Sequence, residues 1–424
     1  MQLLIGDLLA DAAKARPAGI AATIDDRSTT FGELDAGANR LANALRGAGV
    51  SPRDVVVWSS PPSFTLIEGF AATARLGAVF APLNPSLKPD EVAGVIEYLD
   101  PRLVVADDAP REAARSLAVP TTAVDELVGA SAPSSSATPV ADVAFDDSST
   151  HVIYLTSGTT GQPKGVEVSH RASWLRSFPG GSTFAAGLRG DGGILASFPL
   201  FHYGGWHYVL EAWHHRCAIH VCRRFDGEIL VETADRWRPS AMYCIPAVWQ
   251  RVLAALPEGS DSLSSVLHAD TGTSAASRDL LDRLKSAMPQ ATRSVLYGSS
   301  EGGHHTTLFE RQLDDHPGSV GRASPPGVII VSAEGEILYH SPTVMNGYYR
   351  LPDVTAAAVR DGWYYTGDVG VMDDDGFVYI TGRLREVIRT GGESVAPTEV
   401  EAALAGMPGL ADVAIVGMPD PTWG

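Results

Sequence analysis

Residues 154–170, Tyr154-Leu-Thr-Ser-Gly-Thr-Thr-Gly-Gln-Pro-Lys-Gly-Val-Glu-Val-Ser-His170, decide how the rest of the chain is read. The apolar run His151–Leu155 leads into them and predicts a buried strand. Thr156, Ser157, Gly158, Thr159, Thr160 and Gly161 then place four hydroxyls and two glycines in six positions. Lys164 follows, and alternation resumes at Val166 and Val168, so a second strand is expected. Such a loop leaves its backbone N–H groups open to a ligand. Its hydroxyls add donors and Lys164 adds a mobile positive charge. A polyphosphate requires this combination.

The loop differs from the commonest phosphate loop. Gly158 and Lys164 have the spacing of the first Gly and the Lys in G-x-x-x-x-G-K-[ST]. However, Pro163 replaces the second Gly, and Gly165 replaces the metal-binding hydroxyl. Pro163 also removes a backbone donor, and Gly165-Val-Glu-Val reads as a strand rather than a helix. The expectation is a phosphate loop between two strands.

Outward from the loop, 424 residues exceed one ordinary domain and predict a large body with subdomains. A net charge of −18 argues against a general nucleic-acid or anionic-membrane surface, so an ATP site must gather its positive charge locally. No apolar run is long enough to span a bilayer, and Met1-Gln-Leu-Leu-Ile-Gly-Asp lacks the features of a signal peptide. Three unpaired cysteines, Cys217, Cys222 and Cys244, point to a reducing compartment, hence a cytoplasmic location. Trp213–Cys222 holds three His and two Cys, yet alternation puts Cys217 on the face opposite His220 and Cys222. A half-buried strand is expected there in preference to a zinc site.

The first part of the chain alternates helix and strand. Leu4–Ala15 reads as a helix; Thr30 and Glu33 form a capping box for another that reaches about Gly47. Residues 54–58, 78–81 and 103–106 read as strands, with helices at 64–76 and 89–99 between them. Parallel sheets flanked by helices follow from this order. Residues 130–140 are low-complexity and polar, a predicted exposed link.

Beyond the loop, Ser169 is expected to cap a helix reaching about Ser177. In Leu195–Trp206 an apolar strand ends at Pro199, and the pair Gly204-Gly205 sits among aromatic residues after His202; this reads either as a glycine-opened pocket wall or as a core turn with a satisfied His. Asp270–Ala275 follows the apolar run around Val266 and Leu267 and carries Gly272, and Ser294–Glu301 is a strand ending in a polar turn that holds Glu301. His304 and His305 are read either as pocket lining or as solvated. Gly318–Arg322 and Gly335–Pro342 mark a β-rich subdomain, with Gly347-Tyr-Tyr349 near its end. Trp363–Asp368 and Phe377–Arg383 continue it.

Taken together, these motifs resemble, along the whole chain, the adenylate-forming superfamily of acyl-CoA synthetases, peptide-synthetase adenylation domains and firefly luciferase. In motif form they are most similar to fatty- or aryl-acid CoA ligases. The resemblance implies an α/β fold: a large body of two α/β subdomains plus a β-rich one over residues 1–383 (β-rich from about 318), then the start of a small α+β domain at 384–424. It implies that residues 156–161 and Lys164 hold the phosphates of ATP, and that Gly272, Tyr297 and Gly298 face adenine. Ser300 would face phosphate, Glu301 would hold Mg²⁺, and Asp368 with Arg383 would take the ribose. His202 would stand beside the reacting carboxylate, with Trp206 and His304 around the acid. Arg385 falls at the hinge, and Gly391 and Gly392 would line the path of coenzyme A.

The implied function is acid–CoA ligation through an acyl-adenylate, with ATP, Mg²⁺ and CoA and a fatty or aryl/alicyclic acid. Lys164, Glu301 and His202 would be the catalytic set, and a homodimer is a compatible assembly. The resemblance also expects a late lysine, whereas the last one here is Lys285, so the chain reads as shortened and weak in adenylation. A fatty acyl-AMP ligase loading a carrier protein and an inactive nucleotide-binding regulator are the alternatives. An amino-acid-activating domain is disfavoured, because no Asp lies near Phe201–Trp206 to clamp an amine.

Overall fold

The computed structural model describes residues 2–130, 144–156, 163–178, 192–384, 388–390, 393–395, 397–404, 407, 410 and 413–418. The expected link falls almost wholly outside them. Local signals set the helices. Thr30 Oγ1 accepts the Glu33 amide at 3.2 Å while Glu33 Oε2 accepts the Thr30 amide at 2.9 Å, closing the expected capping box on Phe31–Gly47. Ser63 caps Phe64–Arg75 and Ser169 caps His170–Ser177 in the same manner, each accepting an amide at 3.1 Å.

Two large sheets carry the body. One runs in the order Gly347–Tyr348, Lys164–Ser169, Thr150–Thr156, Val79–Pro82, Val55–Ser59, Leu103–Ala106, Thr121–Thr122. The strands Val79–Pro82, Val55–Ser59 and Leu103–Ala106 are parallel and fully buried, as expected of strands covered on both faces. The other runs from Arg322–Ala323 through Gly303–Phe309, Thr292–Ser299, His268–Gly272 and Ala241–Tyr243 to Ile194–Ala196, Ile219–Val221, Ile20–Ile24 and Arg27–Thr30. A shared apolar core joins Val56, Phe80 and Val152 of the first sheet to Ala22, Ile194 and Ile219 of the second. Helices Ile5–Ala15, Phe31–Gly47, Phe64–Arg75 and Tyr203–His215 contribute to the same core. The smaller β-rich sheet is built from Val328–Val331, Glu336–His340, Trp363–Met372, Val359–Arg360 and Val378–Arg383. Ile388–Thr390 and Glu393–Val395 pair antiparallel, and Pro397–Leu404 is a helix.

Three sequence expectations are corrected. Gly204 and Gly205 open the helix Tyr203–His215 and do not form a turn. Close packing accounts for both: a Cβ on Gly204 would lie 2.7 Å from the Phe198 ring, and one on Gly205 2.6 Å from the Pro199 carbonyl. Second, Trp213–His215 ends that helix, Arg216 takes a left-handed conformation, and only Ile219–Val221 is strand. That strand is buried throughout because it lies inside the sheet, and His220 is held by the Thr23 hydroxyl (2.9 Å) and the Gly192 carbonyl (2.7 Å). Third, Gly347–Tyr348 leaves the β-rich region and pairs antiparallel with Lys164–Ser169. This last departure builds the site.

Candidate functional site

Thr150–Thr156 and Lys164–Ser169 are antiparallel, with Thr156 opposite Lys164 and the Thr156 hydroxyl on the Lys164 carbonyl at 3.3 Å. The glycine-hydroxyl loop therefore springs from a closed hairpin. Ser157, Gly158, Thr159, Thr160 and Gly161 lie outside the described residues. Gly165 stands where the commoner loop has a hydroxyl residue, because a Cβ there would meet the Ile153 side chain at 2.7 Å. Its amide instead donates to the Tyr98 hydroxyl at 3.1 Å.

The strand Gly347–Tyr348 then joins loop and acidic turn. Tyr348 donates its hydroxyl to Glu301 Oε1 at 2.8 Å, and Lys164 Nζ lies 5.2 Å from the centre of the Tyr348 ring. One residue thus touches both the expected phosphate lysine and the expected metal carboxylate. The Met345 amide donates to the Glu301 carbonyl at 2.7 Å, fixing the turn further.

Arg176, on the helix Ser169 caps, holds the same turn from inside. Its Nη1 donates to the Ser300 carbonyl (2.9 Å), its Nη2 to the Glu301 carbonyl (2.7 Å) and its Nε to the Thr343 carbonyl (2.8 Å). The side chain is buried; a planar guanidinium can serve three acceptors at once, and a lysine could not match that geometry. Glu301 itself is half-buried, so its carboxylate is held from behind and reachable from in front.

Asp368 closes the site on the β-rich side. It pairs in register with Arg383, whose Nε lies 3.1 Å from Oδ1, while the Tyr297 hydroxyl donates to Oδ2 at 2.6 Å. Burial pushes the Asp368 carboxyl up, and the Tyr297 hydroxyl and Arg383 pull it back down. Tyr297 thus does more than offer a ring to a base: it tunes the carboxylate expected to take the ribose. Gly272 ends the strand His268–Gly272 beside Leu296. Gly298 lies opposite His304, where a Cβ would sit 2.1 Å from the Gly303 carbonyl.

The expected acid-binding residues divide. His304 lines a narrow cleft with Arg176, His207, Glu211 and Asp270. His305 is fully buried and stacked on Tyr339, rather than solvated. His202 is exposed, precedes the helix Tyr203–His215 and packs on Phe201. Trp206 is corrected: it is fully buried, stacked on Phe70 at 4.0 Å, and belongs to the core, since the helix turns it inward. Arg385, Gly391 and Gly392 lie outside the described residues.

Sequence reading missed Arg176, Tyr348, Glu211 and Asp270. Tyr348 had a signal, the Gly-Tyr-Tyr punctuation. Arg176 had none, because its three acceptors lie 124 to 167 residues away.

The AMP-binding enzyme family model matches residues 9–349. A feruloyl-CoA synthase of Amycolatopsis sp. is 30% identical over 97% of this chain and 85% of its own length. An indoleacetate–CoA ligase of Aromatoleum aromaticum is 30% identical over 96% of this chain and 84% of its own. The structure of a Mycobacterium tuberculosis fatty acyl CoA synthetase superposes with a TM-score of 0.85 at 26% identity, covering all of this chain and 86% of that one. With a strand-borne loop lysine, a pinned acidic turn and a paired Asp368, and with matches of this extent, the chain belongs to the family of AMP-binding enzymes.

Proposed function

We propose that the chain is an ATP-dependent carboxylic acid–CoA ligase that works through an acyl-adenylate. The observation that carries this reading is Tyr348, which touches Lys164 with its ring and Glu301 with its hydroxyl. The names of relatives as acid–CoA ligases support it. A carboxylate oxygen attacks the α-phosphorus of ATP; the P–O bond to the β-phosphate breaks and pyrophosphate leaves. The CoA thiolate then attacks the acyl carbon and AMP leaves.

Two anions must meet in the first step, so charge has to be neutralised locally. Lys164 and the loop donors supply part of this. The donor set at Glu301 suits Mg²⁺: a half-buried carboxylate, oriented through Tyr348 and a fixed backbone. Among the described residues no group of three or more His, Cys, Asp or Glu gathers as a metal cage, which fits a cation shared with substrate phosphates. When bound, Mg²⁺ would withdraw negative charge from those phosphates. Asp368, with Tyr297 and Arg383 on its two oxygens, would accept the ribose hydroxyls and fix the nucleotide. His202, exposed at the mouth of the helix, is the residue we assign beside the reacting carboxylate. Gly391 and Gly392 are assigned to the thiol path. The three cysteines are unpaired and buried, which supports a cytoplasmic setting, and no described helix is long and apolar enough to cross a membrane.

Acid-dependent ATP–pyrophosphate exchange, followed by mass detection of the CoA thioester, tests the reading. Exchange with a thioester product is expected. Exchange with no thioester would move the activity to a carrier-loading acyl-AMP ligase; ATP binding without exchange for any acid would overturn it.

A further inference from the structure

The cleft beside the acidic turn is small, about 50 Å³, and its walls are unusually polar for an acyl site. Among the described residues that line it, Arg176 is the one permanent cation, and three of its five N–H groups are taken by the carbonyls of Ser300, Glu301 and Thr343. The His207 and His304 rings lie 4.3 Å apart and tilted to each other, and burial holds both neutral, His304 down to about 4 and His207 well below its ordinary value. Glu211 Oε2 lies 3.6 Å from His207 Nε2.

Asp270 is the decisive group. It is 1% exposed, it lines the cleft, and its Oδ1 has no hydrogen-bond partner among the described residues; the Ser294 hydroxyl serves its carboxyl group. Burial pushes this carboxyl up to about 7. A buried acceptor left unmatched is costly, so an occupant that brings a donor gains more than one that only fills space. Position also limits the occupant. Asp270 lies level with Ser294, and the Ser294–Ser299 segment, at the usual rise, sets it roughly 16 Å down the strand from the acidic turn.

We propose, resting on the ligase reading above, that the acid substrate is short and slender and carries a hydrogen-bond donor, hydroxyl or ammonium, at the end far from its carboxylate. Asp270 receives that donor, in a cleft that Glu211 also lines. A long, wholly apolar acyl chain is excluded from this cleft.

Three matched 3-arylpropenoic acids serve as probes, with a para hydroxyl, a para aminomethyl or a para methyl group. In pyrophosphate exchange, one of the first two should exceed the methyl compound at least tenfold in kcat/KM. An advantage of the ammonium form, accompanied by proton release on binding, identifies the cationic arm. An advantage of the hydroxyl compound identifies the neutral one. Asp270→Leu should abolish the preference or reverse it toward the methyl compound. Should that variant fail to fold, Asp270→Asn, close in shape, should still reduce the selectivity at least fivefold. Equal or better use of the methyl compound by the parent, with exchange intact, overturns the inference and leaves the ligase reading standing. Loss of exchange with every acid overturns both.

Discussion

The Tyr348 hydroxyl lies 2.8 Å from Glu301 Oε1, and this contact exists only because a two-residue strand, Gly347–Tyr348, has crossed to the edge of the loop-bearing sheet. It couples two chemistries that the sequence separates by more than a hundred residues. A hydroxyl donated to a carboxylate fixes the direction of its remaining lone pairs, and the ring beneath Lys164 limits where that ammonium can go.

Tyr348→Phe keeps the ring and removes the donor. A hydrogen bond to a charged group is worth about 1.5–3 kcal/mol, so pyrophosphate exchange at saturating acid should fall on the order of tenfold or more. Tyr348→Leu also removes the surface under Lys164 and should lose more, mainly through a raised KM for ATP. Thermal unfolding of the Phe variant should stay within a few degrees of the parent. An exchange rate for Tyr348→Phe equal to the parent's would show that the contact is only packing.

How far the residues announced this arrangement depends on the reach of each interaction. The capping box of Thr30 and Glu33 and the Ser169 cap were legible because both partners lie three residues apart. The hairpin at Thr150–Thr156 and Lys164–Ser169 was legible because its two strands flank the loop directly. The swap of Gly347–Tyr348 between sheets was not, since nothing local says which sheet edge a two-residue strand will find. Trp206 was misplaced for a related reason: Gly204 and Gly205 weigh toward a turn, yet packing against Phe198 and Pro199 overrides propensity and makes a helix. Arg176 and Asp270 carry no motif and became readable only once their partners were brought together.

The Asp368 carboxylate offers a pH test. Its pKa is raised by burial and restrained by Tyr297 and Arg383. Ribose hydroxyls, the partners proposed above for Asp368, donate best to the ionised form, so on that proposal AMP affinity should weaken as pH falls through that pKa. Tyr297→Phe removes the strongest restraint and lets the pKa rise further. Its affinity loss should therefore begin about one pH unit or more above the parent's, as expected for one charged hydrogen bond. Calorimetric AMP titrations between about pH 5 and 8, where most carboxylates are ionised, would show this. Superimposable pH profiles would remove Tyr297 from the tuning of Asp368.

Buried imidazoles set the acid limit of the fold. Burial lowers His170 and His305 to about 3, and His214, His220 and His304 to about 4. Each is neutral in the folded chain and titrates near 6.5 once unfolded, so between pH 6.5 and about 4 the unfolded state binds protons that the folded state refuses. Stability contributed by these groups is present above 6.5 and lost as pH falls. Asp270 acts in the opposite sense: with its folded pKa about 7, its contribution is present near pH 4 and lost as pH rises toward 7. Glu68, also pushed up to about 7 by burial, acts as Asp270 does; each group is worth at most about 1.4 kcal/mol per pH unit, so these five histidines outweigh the two carboxyls. Urea midpoints should drop steadily as pH falls from 6.5 to 5, and Asp270→Asn should steepen the drop by removing one opposing contribution. A midpoint unchanged over that interval would mean that these imidazoles are hydrated or paired with charge.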